Sequence, residues 1–283
     1  LWIDKLVNTK SIKEDLELEL STGQSLLKQL KQTILQEAIE GKLTEKWRAK
    51  NPDIGTAKEL LEQIKTEKEK LVKDKKIKAS KPLAPINEDE IPFDIPQSWE
   101  WCRFGEIAII ESNLVNPKNY LEYYQIGPDL IEKNTGKLLE SRTVKESGIF
   151  SSNHYFFKNQ LIYSKVRPKL NKVIIADYDG LCSADMYPIQ SFIYNRYLQI
   201  VMLSEHFYWE VDKFDNRVKM PKINQNQLNI TKIPTPPAEE QKVIVTTIEK
   251  LFAICDELES EINQNKITVN NLMATVLKEA FEN

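Results

Sequence analysis

The final stretch, Thr235 to Asn283, constrains this chain more than any other. Ile244, Ile248, Leu251, Cys255, Leu258 and Ile262 step by alternating fours and threes. Val269, Leu272 and Val276 keep the phase, with Asn265 as the polar residue on the line. A period of about 3.5 residues, held this long, marks a coiled-coil seam. Thr235 is placed to cap the helix, Pro236 suits its first turn, and Glu239 and Glu240 complement the positive end of the helix dipole. From Ala238 to Glu282 such a helix would span about 65 Å at 1.5 Å per residue, too long for a core element of a small domain. It reads as a spacer.

The stretch has an echo near the other end. "LKQTILQEAIEG" (Leu30 to Gly41) and "LMATVLKEAFEN" (Leu272 to Asn283) align at an offset of 242 residues, 272 minus 30. Leu16, Leu20, Leu27, Leu30 and Ile34 then fall on Leu258, Ile262, Val269, Leu272 and Val276, and Gly23 on Asn265. One helix type occurs twice around a different kind of sequence, so the order is spacer, domain, spacer. The two lines of apolar residues need partners, and the nearest for each is the other, antiparallel within the chain. A homodimer joined through the spacer helices is expected as well, and a helical hairpin with no second copy is the alternative. Asn265 either sets the register or interrupts the line in solvent.

The chain between has short β-like runs: "EIAIIES", "EYYQIG", "QLIYSKV", "KVIIAD" and "DMYPIQ". Asn195 to Val211 reads as one helix. The expected class is α+β: one globular domain with a mixed or antiparallel sheet, flanked by two long antiparallel coiled-coil helices. The expected divisions are 1–43 for the N-terminal spacer helix, closed by Gly41, and 44–95 for a linker with a Lys/Glu-rich helix. The central domain is 96–235 and the C-terminal spacer 236–283. The linker helix, Thr56 to Lys78, carries eight lysines, with Leu60, Leu61, Ile64 and Leu71 on one side. Interleaved glutamates favour a solvated amphipathic helix over a phosphate-binding one. Four prolines between Pro82 and Pro96 mark an extended entry to the domain, which Trp99 and Trp101 would anchor.

Some classes are set aside early. Three scattered cysteines (Cys102, Cys182, Cys255) and two histidines do not suit a disulfide framework or a zinc site. No apolar run reaches ~18 residues, so no transmembrane helix is expected, and with no signal peptide visible a cytoplasmic protein is. The chain opens on Leu1, which suggests a fragment or a trimmed product. An adenine methyltransferase needs a Gly-rich cofactor loop and an Asn/Asp-Pro-Pro-aromatic motif, and Thr235-Pro236-Pro237 echoes the second only superficially. Pro52-Asp53 with Asp74-Lys75-Lys76 is a loose match to a metal nuclease, and His154 and His206 have no visible catalytic partners. No catalytic residue and no metal ligand are assigned.

The net charge is −3, yet it is unevenly spread. Lys158 to Lys172 holds five cations and no acid, Lys213 to Lys222 is net +3, and Pro236 to Asn283 is net −5. Locally basic loops can grip a polyanion whatever the net charge.

Several passages resemble the specificity subunit of type I restriction–modification systems. They are "LKQTILQEAIEGKLTEKWR", "IPQSWEWCRFGEI", "LIYSKVRPKLNKVIIADYDGLCSADMYPI" and "KMPKINQNQLNITKIPTPPAEEQKVIVTTIEKLFAICDELE". The resemblance runs from about Ser11 to Asn283, and the Pro-Pro-x-x-Glu-Gln entry to a coiled-coil helix is its most specific part. It implies a non-catalytic adaptor. Each recognition domain of such a subunit reads one half of a bipartite double-stranded DNA site, and the spacers set the separation of the halves. The spacers also hold methyltransferase (modification) subunits, which carry S-adenosylmethionine. Restriction subunits complete the complex. This chain departs from the pattern in having one recognition domain where the family has two, so it resembles a half-subunit or a fragment. Two copies paired through the seams would restore two domains and read a pseudo-palindrome.

On that reading the candidate DNA contacts are Lys165, Arg167, Lys169 and Lys172 around Pro168, and Arg217, Lys219 and Lys222 in the second basic loop. Lysine suits phosphate, whereas arginine also reads guanine. Lys118, Asn119, Tyr120 and Arg142 are weaker candidates for base reading. The helix-pairing candidates are Leu16, Leu20, Leu27, Leu30 and Ile34 with Ile248, Leu251, Leu258, Ile262, Leu272 and Val276. Two other functions stay open: a structural coiled-coil protein whose central domain binds protein, and a nuclease or methyltransferase enzyme.

Overall fold

The computed structural model describes residues 2–214 and 221–282. In chain order the elements are α1 (Trp2–Ile39), α2 (Glu45–Lys50), α3 (Ala57–Lys73), β1 (Glu100–Arg103), α4 (Phe104–Ile107), β2 (Ala108–Ile110), β3 (Leu114–Val115), β4 (Tyr124–Ile126), β5 (Arg142–Thr143) and α5 (Val144–Ser147). They continue with β6 (Asn153–Phe156), β7 (Leu161–Ser164), β8 (Val173–Ile175), β9 (Gly180–Cys182), β10 (Met186–Ser191), α6 (Asn195–Leu203), α7 (Glu205–Asp212), α8 (Gln225–Asn229), β11 (Lys232–Thr235) and α9 (Ala238–Glu282). They form two compact units, one of Leu1–Ile34 with Thr247–Asn283, the other of Leu35–Thr246.

The first unit is a helix pair. Gln24 donates to Asn263 at 3.2 Å, and Lys31 reaches Asp256 and Glu259, both at 2.8 Å. The later residue of α1 meets the earlier residues of α9, so the helices run antiparallel. The seam splits into two lines. Residues seven apart (Leu20, Leu27 and Ile34 on α1; Ile248, Cys255, Ile262, Val269 and Val276 on α9) are buried or half-buried. The other line turns outward along much of its length. Leu16 and Leu251 are half-buried on it, but Leu30, Leu258 and Leu272 are 44%, 42% and 60% exposed. A single partner helix covers only a narrow stripe, which leaves the flank of a 3.5-residue repeat uncovered. Asn265 lies in solvent on this outer line.

The second unit is α+β. A four-stranded antiparallel sheet has the order β2-β10-β7-β8. A five-stranded sheet has the order β3-β6-β9-β4-β5, with β4 and β9 parallel and the other neighbours antiparallel. Ile126, Phe156, Ile162, Ile174, Cys182 and Met186, drawn from both sheets, make one apolar core with Ile131 and Ala176. The strands are short, three or four residues for most, so their period-2 signal is weak; β3, β5, β6 and β9 carry no run that sequence patterning picks out.

The third sheet is the strand pair β1–β11, which joins the entry of the domain to its exit. Here the structure corrects an expectation. Thr235 pairs with Glu100 in this ladder and is fully buried, so it is not the cap of the long helix, which opens at Ala238. The Pro-Pro-x-x-Glu-Gln motif has a packing role. Glu240 is fully buried and accepts from Thr44 at 2.6 Å, from Trp99 Nε1 at 2.9 Å and from Arg48. Gln241 donates to Pro236 O at 2.9 Å and accepts from the Tyr194 amide at 2.9 Å. One carboxylate and one amide thus tie α2, the domain entry and α6 to the first turn of α9.

Local signals decide the helix ends. Gly41 ends α1 at φ +75°, with Lys42 N–H bonded to Glu37 O and Gly41 N–H to Ala38 O, the double bond of a Schellman cap. Thr56 and Glu59 form a capping box at the start of α3, which stops at Lys73, before the expected Lys78. The stretch 195–211 is two helices, because Ser204 leaves helical geometry (ψ 160°) and its Oγ caps α7 at Phe207 N–H. Trp101 packs edge-on against Phe93 and His206 with centroids 4.9 and 5.3 Å away. Among the described residues, no helix is long and apolar enough to cross a membrane.

Candidate nucleic-acid interface

The described end of the second basic loop, Pro221 and Lys222, lies against the first loop in space. Beyond β7 the chain continues extended: Arg167 N–H bonds Pro221 O at 2.9 Å, Ile223 N–H bonds Lys165 O at 3.0 Å, and Val166 bridges Lys222. Pro168 opens a tight turn, Pro168–Leu170, flanked by Arg167 (φ 50°) and Asn171 (φ 39°) in the left-handed region. Two non-glycine residues in that conformation cost of order 1–3 kcal/mol each. The surrounding hydrogen bonds hold the loop in shape nonetheless.

The candidate cations then separate by what they already touch. Lys169 Nζ is 2.6 Å from Asp212, Lys172 Nζ donates to Pro128 O at 2.6 Å, and Lys222 Nζ is 2.8 Å from Asp185. Arg142 forks onto Glu140 at 2.8 and 2.9 Å. Among the described residues, Lys165, Arg167 and Lys118 carry no carboxylate partner. The Lys165 ammonium sits 5.2 Å from the Tyr187 ring centroid, and Arg167 is exposed. Arg217 and Lys219 lie outside the described residues. Lys118 and Asn119 are exposed on a turn between β3 and β4, away from the paired loops in the chain's connectivity. Tyr120 there packs against Tyr123 and Tyr155, with centroids 5.3 and 5.6 Å away.

Beside the paired loops is a cleft that sequence patterning missed. One lobe, about 450 Å3, is lined by Ser112, Leu114, His154, Lys165, Tyr187, Asn224, Gln225 and Asn226. The adjoining lobe, about 440 Å3, shares Lys165, Tyr187 and Asn224 and adds Phe214, Lys222, Ile223 and Gln227. Asn224 and Gln227 close a capping box on α8 at 2.9 Å in each direction, which engages both side-chain oxygens. Gln225 is half-buried and Asn226 exposed, and neither side chain has a hydrogen-bond partner among the described residues. His154 is 5% exposed, with Nδ1 buried and unpartnered. Burial, and then the Lys165 charge, lower its pKa, so the ring is neutral at pH 7. The signal available beforehand was the run Asn224-Gln225-Asn226-Gln227, four amides in a row at the domain exit.

Residues 96–268 match the family described as type I restriction modification DNA specificity domain. The chain belongs to this family. The match opens at the domain entry, covers both sheets and runs into α9, so the paired basic loops lie within the specificity domain. The chain is similar to the type I restriction enzyme EcoDI specificity subunit of Escherichia coli, 36% identical over 284 aligned positions. That alignment covers 99% of this chain and 59% of the relative, so the chain spans about three-fifths of that specificity subunit. Two solved structures share the fold. One is the HsdS subunit from Thermoanaerobacter tengcongensis, at TM-score 0.55 and 24% identity over 66% of this chain and 50% of that one. The other comes from work on complex assembly and conformational transition of the type I R-M system, at TM-score 0.58 and 22% identity over the same shares.

Proposed function

We propose that this chain reads one half of a bipartite double-stranded DNA target for a type I restriction–modification complex. The observation that carries the reading is the junction at Pro221 and Lys222, where Lys165 and Arg167 have no carboxylate partner among the described residues and stand on a hydrogen-bonded frame. Arg167 on a rigid turn suits phosphate or guanine, and Lys165 suits phosphate. The chain acts as an adaptor and performs no chemistry. Methyl transfer belongs to modification subunits that bring S-adenosylmethionine, and restriction subunits join the full complex, in the cytoplasm. The helix pair is the scaffold for these partners. Its outer line (Leu30, Leu258, Leu272) is exposed, which supports a second copy or a partner helix packed against it. Two copies paired there would read a pseudo-palindrome.

The test is DNA binding by the chain assembled with its modification subunits, titrated against salt. Arg167→Ala should weaken binding and reduce the slope of log K against log salt by about 1. An unchanged affinity and slope for both Arg167→Ala and Lys165→Ala would remove the paired loops from the DNA face.

A further inference from the structure

The candidate cations account for grip but not for sequence choice, since charge on phosphate is blind to the base. The cleft next to them has the other chemistry. Among the described residues lining its histidine lobe, Lys165 is the one cation and none is an acid. Gln225 and Asn226 offer two amides with no hydrogen-bond partner among the described residues, each a donor and an acceptor together. They leave adjacent positions at the start of α8, whose first turn is pinned by the Asn224–Gln227 box, so the backbone that carries them is held. Leu114, 54% exposed, adds an apolar surface to the same lobe, and neutral His154 adds no charge.

We propose that Gln225 and Asn226 are specificity-determining residues that read the edges of A·T base pairs in this cleft. The proposal rests on the DNA-reading function above and names the bases it selects. An amide matches adenine with two hydrogen bonds, to N7 and from the N6 amino group, and no other base edge in the major groove offers that pair in that order. An apolar side chain beside it suits the thymine methyl group. Lys165, at the mouth shared by both lobes, would position the phosphate next to the base pair being read. An acidic partner would need more positive charge than Lys165 supplies among the described residues of this lobe.

The experiment is selection of duplexes from a random library by the chain assembled with its modification subunits, with sequencing of the bound fraction. The parent should enrich a half-site containing A·T pairs. Gln225→Ala and Asn226→Ala should each lower the preference at one such position about tenfold or more, with affinity for unselected duplex unchanged. Asn226→Asp keeps the shape but removes the donor, and should move the preference at its position toward cytosine, whose amino group an acid accepts. Motifs identical to the parent's in all three variants would overturn the assignment and leave the DNA-reading function standing. A parent that enriches no motif would overturn that function and the assignment together.

Discussion

The indole Nε1 of Trp99 donates to Oε2 of Glu240 across 2.9 Å, although 141 residues separate them. The bond closes the central domain at its base, where the chain enters and leaves it. Glu240 is fully buried and Arg48 and Thr44 converge on its other oxygen, so this carboxylate is a buried ion paired on every side. Removing one member of such a set strands the others without water. Glu240→Ala should therefore cost about 3–5 kcal/mol in urea unfolding. Glu240→Gln keeps the shape and should cost less. A loss within the scatter of surface variants would show that the network adds nothing.

Gly41 stands on the other side of the same base. Its φ is +75°, and a Cβ there would lie 2.5 Å from Pro96 Cγ and 3.2 Å from the Trp99 ring. Gly41→Ala should lower stability by more than the ~1 kcal/mol that the backbone effect alone carries. Thermal unfolding of the two proteins side by side settles it.

Acid sensitivity should centre on Glu210. Burial pushes its carboxyl up, but hydrogen bonds from Lys213 and the Lys232 amide, with the charges of both lysines, outweigh it and hold its pKa below the usual carboxylate value. A depressed folded pKa means stability that is present above the unfolded value, about 4.3, and is lost as pH falls below it through the folded pKa. Unfolding free energy measured from pH 6 downward should show this fall. In Glu210→Gln the fall should be shallower and the stability at pH 6 lower, because Lys232 is left buried beside a neutral group.

The basic loops should divide by role. Lys172→Ala removes the donor to Pro128 O and should cost about 1–3 kcal/mol of stability. Arg167→Ala, with an exposed guanidinium, should leave the melting temperature in place while weakening DNA binding. Lys165→Met should raise the His154 pKa, since it removes the second cause of its depression, and histidine ring resonances followed against pH would show the direction.

In the helix pair, Ile262→Asp places a charge on the buried line, whereas Leu258→Asp and Leu272→Asp place one on the outer line. The first should reduce helix content by circular dichroism. The other two should keep it and shift mass in light scattering from dimer to monomer, if two copies pair through that line. An unshifted dimer in both would put the contact elsewhere.

Much of the fold was legible from short-range patterns. The 3.5-residue seam announced both long helices, Gly41 marked the end of the first and Thr56 the start of α3, and the density of lysine and arginine named the loops around Pro168. These are local signals: a cap or a heptad is complete within one or two turns of chain. What tertiary structure decided is non-local. Thr235 reads as a helix cap until β1 pairs with it, and Ser204 is an ordinary helix residue until its hydroxyl bonds Phe207 N–H. Strands of three residues such as β9 exist because β4 and β6 lie on either side of them. Which cations are free also depends on folding. Lys165 and Lys169 look alike in sequence, but Asp212 reaches only the second, and the amides of Gln225 and Asn226 face a cleft that forms when the exit of the domain folds back over Lys165. Periodicity and capping are written in neighbouring residues, whereas ion pairs and clefts are written in distances that only the folded chain sets.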